Sequence, residues 1–176
     1  SAIQIGTLPE TGHHNGQGYA LAQIVAGGKP EILLPDGTGS IYCFEIPADP
    51  SKGNWPRTQI TDEAREEGIG VGDIDGDGDN DISARHDAAD GWKVAWWENP
   101  GNGTGNWTKY VIGSSSNQPD RFAVADINRD GRLDIIMSEE TPLEEASVYW
   151  FEQPADPKSP GWTRHTVVTQ YTTNSI

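Results

Sequence analysis

Apolar and polar residues alternate in short runs along this chain, and clusters of Gly, Pro, Asn or Asp separate the runs. A two-residue alternation rich in aromatic and β-branched side chains is typical of β-strands, and no segment sustains the 3.6-residue period of a helix. The clearest runs each end in a carboxylate followed by one residue and a proline, at residues 40–47, 93–100 and 147–154. The pattern therefore predicts an all-β protein.

The aromatic runs belong to a longer repeat with a period of roughly 50 residues, within the range of propeller-type repeats. Each is preceded by two short apolar segments and followed by a strand that begins with Trp, at residues 55–60, 107–112 and 162–167. Four short antiparallel strands per repeat predict the blade of a β-propeller. We expect a single domain over residues 1–176, with blades at about 8–61, 62–113 and 114–168.

Residues 1–7 resemble the fourth strand of a blade that would precede the first repeat. Propellers typically need four to eight blades to close, and this chain supplies three. The sequence leaves two alternatives open, a partial propeller or a ring that oligomerisation completes. An exposed blade face would favour association with a second copy.

Two loops between the first and second strands of a repeat fit the pattern D-x-[DN]-x-D-G-x-x-D. Oxygen ligands at positions 1, 3, 5 and 9 with a carbonyl at position 7 suit Ca²⁺, and the glycine at position 6 permits the sharp turn. We predict two Ca²⁺ sites, in which position 7 (Asp79 or Arg132) supplies only its carbonyl. The predicted metal residues are Asp73, Asp75, Asp77, Asp79 and Asp81 in the second repeat, and Asp126, Asn128, Asp130, Arg132 and Asp134 in the third.

The equivalent loop of the first repeat carries Gln23, Val25, Gly27, Lys29 and Glu31 at the five ligand positions. Only one of these is a carboxylate, and Lys29 brings its own positive charge. We therefore predict no Ca²⁺ in the first repeat.

The segments 72–78 and 125–131, within the repeat described above, resemble the FG-GAP/VCBS family. This resemblance implies propeller blades with Ca²⁺ bound between the first two strands. It does not assign a function, because the module occurs in adhesion receptors, lectins, polysaccharide lyases and sugar dehydratases alike.

The formal charge of −15 argues against a nucleic-acid partner, which needs a basic footprint. Two bound Ca²⁺ would bring the charge to about −11. No window has the 18 consecutive apolar residues of a membrane span, and the single Cys43 cannot form an internal disulfide. Without an initiator Met or secretory signal, the chain is expected to be a processed or excised piece. Weak Ca²⁺ sites suit millimolar Ca²⁺, which favours an extracellular or periplasmic location.

Loops at the end of the blades opposite the Ca²⁺ loops are the candidates for ligand binding. They are predicted to hold His13, His14, Arg85, His86 and Trp92, of which the Trp is a candidate for stacking on a sugar ring. Solvated loop side chains are the alternative. The chain lacks a nucleophile elbow, a phosphate loop and zinc-type cysteine spacing.

The leading functional hypothesis is a non-catalytic, Ca²⁺-stabilised module that binds a glycan or a protein. The first alternative is a piece of a carbohydrate-active enzyme, either a polysaccharide lyase or a sugar dehydratase. The second alternative is a structural or oligomerising unit.

Overall fold

A computed structural model describes residues 2–8, 18–65, 68–140 and 145–171. This part of the chain contains twelve β-strands. None of the residues described belongs to a helix that could cross a lipid bilayer. The all-β fold class is confirmed.

The strands fall into three consecutive groups of four, and we name each group a blade. Blade 1 consists of β1 (Ala20–Ala22), β2 (Glu31–Pro35), β3 (Ile41–Phe44) and β4 (Arg57–Thr61). Blade 2 consists of β5 (Gly70–Gly72), β6 (Asp81–Ala88), β7 (Gly91–Glu98) and β8 (Thr108–Ser114). Blade 3 consists of β9 (Gln118–Ala125), β10 (Asp134–Glu140), β11 (Glu145–Glu152) and β12 (Thr163–Tyr171).

Within each blade the strands pair antiparallel in chain order. The three first strands lie side by side, because β5 contacts both β1 and β9. Gly72 permits the approach of β5 to β9, since a Cβ at this position would lie 2.8 Å from Val124 Cγ1. The blades thus stand in an open row, as in a propeller that is not closed.

Two apolar cores lie between the blades, one on each side of blade 2. We call the side of a blade that faces the next blade its front face and the opposite side its back face. Neighbouring residues of β7 serve both cores: Trp97 packs from the back face against blade 1, and Trp96 packs from the front face against blade 3. This confirms the alternation of faces expected for a strand.

Cys43 lies in the first of these cores, at the position that Trp96 occupies in blade 2. Burial, with smaller contributions from Glu31 and Glu45, raises the pKa of its thiol to about 12. The thiol therefore stays protonated and acts as an apolar packing group.

The hairpin of β6 and β7 is longer than the sequence indicates. Arg85, His86 and Trp92 were expected in an irregular loop, but all three belong to the paired strands, with Asp87 opposite Trp92. The hairpin turn lies beyond them, where Gly91 takes a φ of 113° and Lys93 pairs with Asp90 at 2.8 Å. Antiparallel pairing therefore continues to the tip, although the residues there are polar.

Candidate metal centre

The loop between β5 and β6 brings carboxylates together as its spacing predicts. Oxygens from Asp73, Asp75 and Asp81 lie within 4.8 Å of one another. A second group, in which the same distance holds, joins Asp75 and Asp77 to Glu98 at the end of β7. Glu98 was not among the predicted ligands, although the carboxylate that ends each aromatic strand was a signal in the sequence.

The backbone of this loop turns sharply at positions 4 and 6, where Gly76 and Gly78 have φ angles of 77° and 100°. The N–H of Gly78 then donates to Asp73 Oδ2 at 3.1 Å. Side chains of the other residues are held in the same way, since the N–H of Asp79 donates to Asp77 Oδ1 at 2.9 Å. The chain thus fixes the carboxylates in place with its own amides.

Asp81 anchors the loop to the blade. Its two oxygens accept hydrogen bonds from the N–H of Ile74 at 2.9 Å and of Asn99 at 2.8 Å. Burial, together with the charges of Asp75 and Asp77, raises the pKa of Asp81 to about 7 despite these bonds. A cation in the loop would favour the charged form of this carboxylate.

Asp73 Oδ1 is the atom in this loop with the clearest need for a cation. It is shielded from solvent, and no group among the residues described here donates a hydrogen bond to it. A buried carboxylate oxygen without a partner costs free energy unless a donor or a metal satisfies it. The oxygen-only ligand set fits Ca²⁺, which takes six to eight oxygens in a flexible geometry.

A lysine from blade 3 reaches into the same acidic cluster. Lys158 Nζ lies 2.9 Å from Glu98 Oε1 and 2.9 Å from Asp75 Oδ2. These hydrogen bonds, to Glu98 first and Asp75 second, raise the pKa of Lys158. A permanent positive charge therefore stands beside the predicted ion and opposes its binding.

We expect the substitution Lys158→Met to raise the affinity of the blade 2 loop for Ca²⁺ by about tenfold. Removal of a charge a few ångströms from the ion is worth roughly 1–2 kcal/mol at the partly solvated edge of the protein. Isothermal titration with Ca²⁺ at low ionic strength measures the change. Lys52→Met is the matched control, because Lys52 is exposed in blade 1 and pairs with Asp49 at 3.8 Å. An unchanged affinity in Lys158→Met would contradict the repulsion.

The loop between β9 and β10 repeats the backbone turn with different side chains. Arg129 and Gly131 have φ angles of 61° and 88°, and the N–H of Gly131 donates to Asp126 Oδ2 at 3.0 Å. Asp134 accepts hydrogen bonds from Ile127 N and Gln153 N, both at 2.9 Å. The scaffold of the two loops is therefore the same.

The side chain of Arg132 binds one of the predicted ligands of the blade 3 loop. Its guanidinium pairs with Asp130, and its Nε donates to the carbonyl of Gln153 at 3.0 Å. The hydrogen bond from the backbone N–H of Arg132, with help from Asn128 and the guanidinium, lowers the pKa of Asp130. Within the described residues, the carboxylates of this loop do not form a compact trio like that of blade 2.

In the loop of blade 1, an amide nitrogen stands where the other loops would hold an ion. Gln23 takes position 1, and its Nε2 donates to the carbonyls of Val25 at 2.5 Å, Gly27 at 2.9 Å and Lys29 at 3.4 Å. Glu31 keeps the anchoring role of position 9 through the N–H of Ile24 at 2.7 Å. The side chain thus closes the turn from inside.

The predicted ligand-binding residues are only partly brought together. His13 and His14 lie outside the described residues. Arg85 is buried and pairs with Asp87 at 2.7 Å, and Arg65 pairs with the same carboxylate at 3.1 Å. Burial alone would raise the pKa of Asp87, but these two guanidinium groups lower it. Arg85 is therefore held in an internal ion pair.

His86 has partners on both ring nitrogens. Its Nδ1 lies 2.8 Å from the carbonyl of Glu63, and its Nε2 lies 3.3 Å from Lys109 Nζ. Since a carbonyl can only accept, Nδ1 carries the proton and Nε2 accepts from Lys109. The residue lines a cleft between blades 1 and 2, together with Thr38, Gly39, Asp62, Glu63, Arg65 and Asp87.

Residues 86–137 match the family described as FG-GAP-like repeat. The matched segment runs from β6 to β10 and includes the whole loop between β9 and β10. A comparison with curated proteins gave no significant match.

Proposed function

From the premise that this chain carries an FG-GAP-like repeat in a row of propeller-type blades, we propose that it is a non-catalytic, Ca²⁺-stabilised binding module. Blades 2 and 3 each bind one Ca²⁺ through the loop between their first two strands. The ion would neutralise the clustered carboxylates and hold the hairpin closed. The proposal rests on the convergence of the Asp73, Asp75 and Asp81 carboxylates, of which Asp73 Oδ1 is buried and has no donor in the described chain.

Isothermal titration tests the metal directly. We expect two Ca²⁺ per chain, with affinities in the range of about 10⁻⁴–10⁻³ M that is typical of extracellular modules. Asp73→Ala and Asp126→Ala should each remove one site. Gln23→Ala changes the equivalent position of blade 1 and should leave two sites. Uptake of no ion by the unmodified chain would overturn the proposal.

Bound Ca²⁺ is also expected to raise the melting temperature. At ten to a hundred times the dissociation constant, each site contributes about 1.4–2.7 kcal/mol of stability through RT ln(1 + [Ca²⁺]/Kd). Differential scanning calorimetry with Ca²⁺ or with EDTA measures this difference, and Mg²⁺ at the same concentration controls for ionic strength. A melting temperature that does not respond to EDTA would contradict it.

For the partner of the module we propose a glycan or a protein, bound at the end of the blades opposite the Ca²⁺ loops. The cleft between blades 1 and 2 opens there and is lined by charged and polar side chains. A glycan array probed with and without EDTA tests the carbohydrate alternative. Binding that disappears in EDTA would favour it, while an array without signal would leave the protein alternative.

The alternative of a carbohydrate-active enzyme has weaker support in the cleft. Arg85 is committed to an ion pair and His86 to two hydrogen bonds, so neither offers a free acid or base. Formation of unsaturated sugars from uronic-acid polysaccharides, followed by ultraviolet absorbance, would show lyase activity. We propose an extracellular or periplasmic location, where Ca²⁺ concentrations suit sites of this affinity.

A further inference from the structure

The two ends of the row of blades each carry exposed apolar side chains. At the front face of blade 3, Ile127 is 42% exposed and Val167 is 62% exposed. The residues at the same repeat positions in blade 2, Ile74 and Ile112, are 2% and 5% exposed because blade 3 covers them. The exposed apolar residues at the front face of blade 3 therefore take repeat positions that are buried in the interface between blades 2 and 3.

The back face of blade 1 shows the same contrast. Tyr19 is 77% exposed and Leu21 is 62% exposed. Phe122, which takes the position of Tyr19 in blade 3, is 8% exposed and packs against blade 2. The inner part of the back face of blade 1 is therefore exposed, whereas the equivalent part of blade 3 is covered by blade 2.

The back face of blade 1 also repeats the residues with which blade 3 docks on blade 2. Blade 1 has Tyr42, Phe44, Trp55 and Arg57, and blade 3 has Tyr149, Phe151, Trp162 and Arg164 at the same positions. In both blades the Arg lies over the Tyr ring, at 4.6 Å and 4.5 Å from its centroid. Blade 2, with Ala95 in place of the Tyr, does not share this set.

The front face of blade 3 in turn repeats the front face of blade 2. Trp150 stacks on His165 at 4.4 Å, and Trp96 stacks on Tyr110 at 4.7 Å, both with an interplanar angle of 24°. A carboxylate holds the second ring in each pair: Glu152 contacts His165 at 2.8 Å, and Glu98 accepts from Tyr110 at 2.9 Å. The back face of blade 1 therefore repeats the blade 3 half of the interface between blades 2 and 3, and the front face of blade 3 repeats the blade 2 half.

One polar atom at the front face also points to a missing partner. Trp96 Nε1 donates to the carbonyl of Pro157 in blade 3 at 3.4 Å. Trp150 Nε1, at the same position in blade 3, is shielded from solvent and has no acceptor among the described residues. Pro157 ends the sequence Ala-Asp-Pro, which blade 1 repeats at residues 48–50. Pro50 takes the sequence position of Pro157, although Trp55 Nε1 donates to the carbonyl of Lys52 at 3.0 Å where Trp162 Nε1 donates to that of Pro157 at 3.0 Å.

Residues 2–8 occupy part of the back face of blade 1, where they take the place that β8 takes on blade 3. A Cβ on Gly6 would lie 2.7 Å from Phe44 Cε1, and a Cβ on Gly113 would lie 2.4 Å from Phe151 Cε1. Arg57 donates to the carbonyl of Thr7 as Arg164 donates to that of Ser114. The segment thus covers the outer part of the face and leaves Tyr19 and Leu21 open.

We propose that the front face of blade 3 docks on the back face of blade 1 of a second copy, head to tail. The contact repeats the geometry of the interface between blades 2 and 3, so β12 of one molecule takes the place of residues 2–8 in the other. One hydrogen bond is lost, because blade 1 has Ile46 where Gln153 of blade 3 donates to the carbonyl of Ile74 at 2.8 Å. Residues 2–8 therefore compete with the second copy and limit self-association.

Sedimentation velocity of the 176-residue chain, from micromolar to millimolar concentration in saturating Ca²⁺, tests the docking. We expect reversible association that strengthens by about tenfold or more when residues 1–8 are deleted, because the competing segment no longer reduces the fraction of open molecules. A synthetic peptide of residues 1–8 should reverse the gain. Equal association with and without the segment would overturn the competition.

Substitutions on single faces test the orientation independently of the deletion. Val167→Glu places a charge on the front face and Leu21→Glu places one on the back face, so each blocks docking at its own face. Both residues are exposed enough for the variants to fold. Each variant alone should be monomeric, and an equimolar mixture should form dimers that do not grow, as expected for a heterologous contact. Val111→Glu is the matched control, because Val111 is 43% exposed on β8 and lies on neither end face.

Three outcomes would overturn the docking proposal. The first is a monomer at all concentrations for both the full chain and the deletion variant. The second is loss of association in Val111→Glu as complete as in Val167→Glu. A mixture of the two face variants that stays monomeric while the unmodified chain associates would exclude the head-to-tail arrangement.

Discussion

Replacement of Trp97 by alanine is expected to lower the free energy of unfolding by about 3–5 kcal/mol, as large-to-small substitutions of buried aromatic residues do. Trp97 is 1% exposed and packs at the centre of the core between blades 1 and 2. The Ile, Ala and Trp side chains around it come from two sheets, so they cannot close the cavity unless the two blades move towards each other. Chemical denaturation with EDTA present measures the loss apart from any effect of the metal.

The chain itself offers the matched control for this substitution. Phe44 and Phe151 occupy the position of Trp97 in the other two blades. Trp97 Nε1 is buried and has no acceptor in the described part of the chain, so phenylalanine removes an unsatisfied donor along with some apolar surface. We expect Trp97→Phe to cost less than about 1.5 kcal/mol. An alanine variant no less stable than the phenylalanine variant would show that this core does not hold the blades together.

Replacement of Asp134 by alanine is expected to destabilise blade 3 by about 3 kcal/mol or more even without metal. The carboxylate is buried, and its two oxygens accept hydrogen bonds from the N–H groups of Ile127 and Gln153. Hydrogen bonds to a charged group contribute about 1.5–3 kcal/mol each, and the donors left behind remain partly buried. Urea denaturation in EDTA measures this contribution in isolation from the ion.

Asp134→Asn distinguishes the anchoring role from simple packing. The amide keeps the volume of the side chain but has one acceptor oxygen, so one of the two N–H groups faces another donor. We expect it to recover less than half of the alanine loss. Full stability of the asparagine variant in EDTA would mean that the loop does not depend on the bidentate acceptor, and that Asp134 matters only as a metal ligand.

The sequence predicted the blades well because their two outer strands carry strong local signals. The aromatic runs and the Trp-led segments overlap the third and fourth strands of each blade, and position 6 of the two acidic loops turns at Gly78 and Gly131 as expected. Arg85, His86 and Trp92 were misplaced for a physical reason. Pairing with the partner strand, a non-local interaction, extends the β6–β7 hairpin through residues whose polarity resembles that of a loop.

The contacts between blades could not be predicted from the sequence. Lys158 lies 60 residues from Glu98 along the chain, and no local pattern connects the two. The Gln23 side chain illustrates the same limit within one loop. The replacement of Asp by Gln at this position predicted a loop that does not need Ca²⁺, but only the geometry shows that the amide nitrogen lies within 3.4 Å of three carbonyl oxygens.

Because of the Gln23 amide, we expect the three loops to depend to different degrees on the calcium concentration. We expect this turn, which its own side chain closes, to stay closed at any calcium concentration, whereas the two neighbouring turns would open and close with the supply of the proposed ions. Chelation would then destabilise blades 2 and 3 but not blade 1. Blade 1 would remain ordered, and the other hairpins could re-form against it when calcium returns.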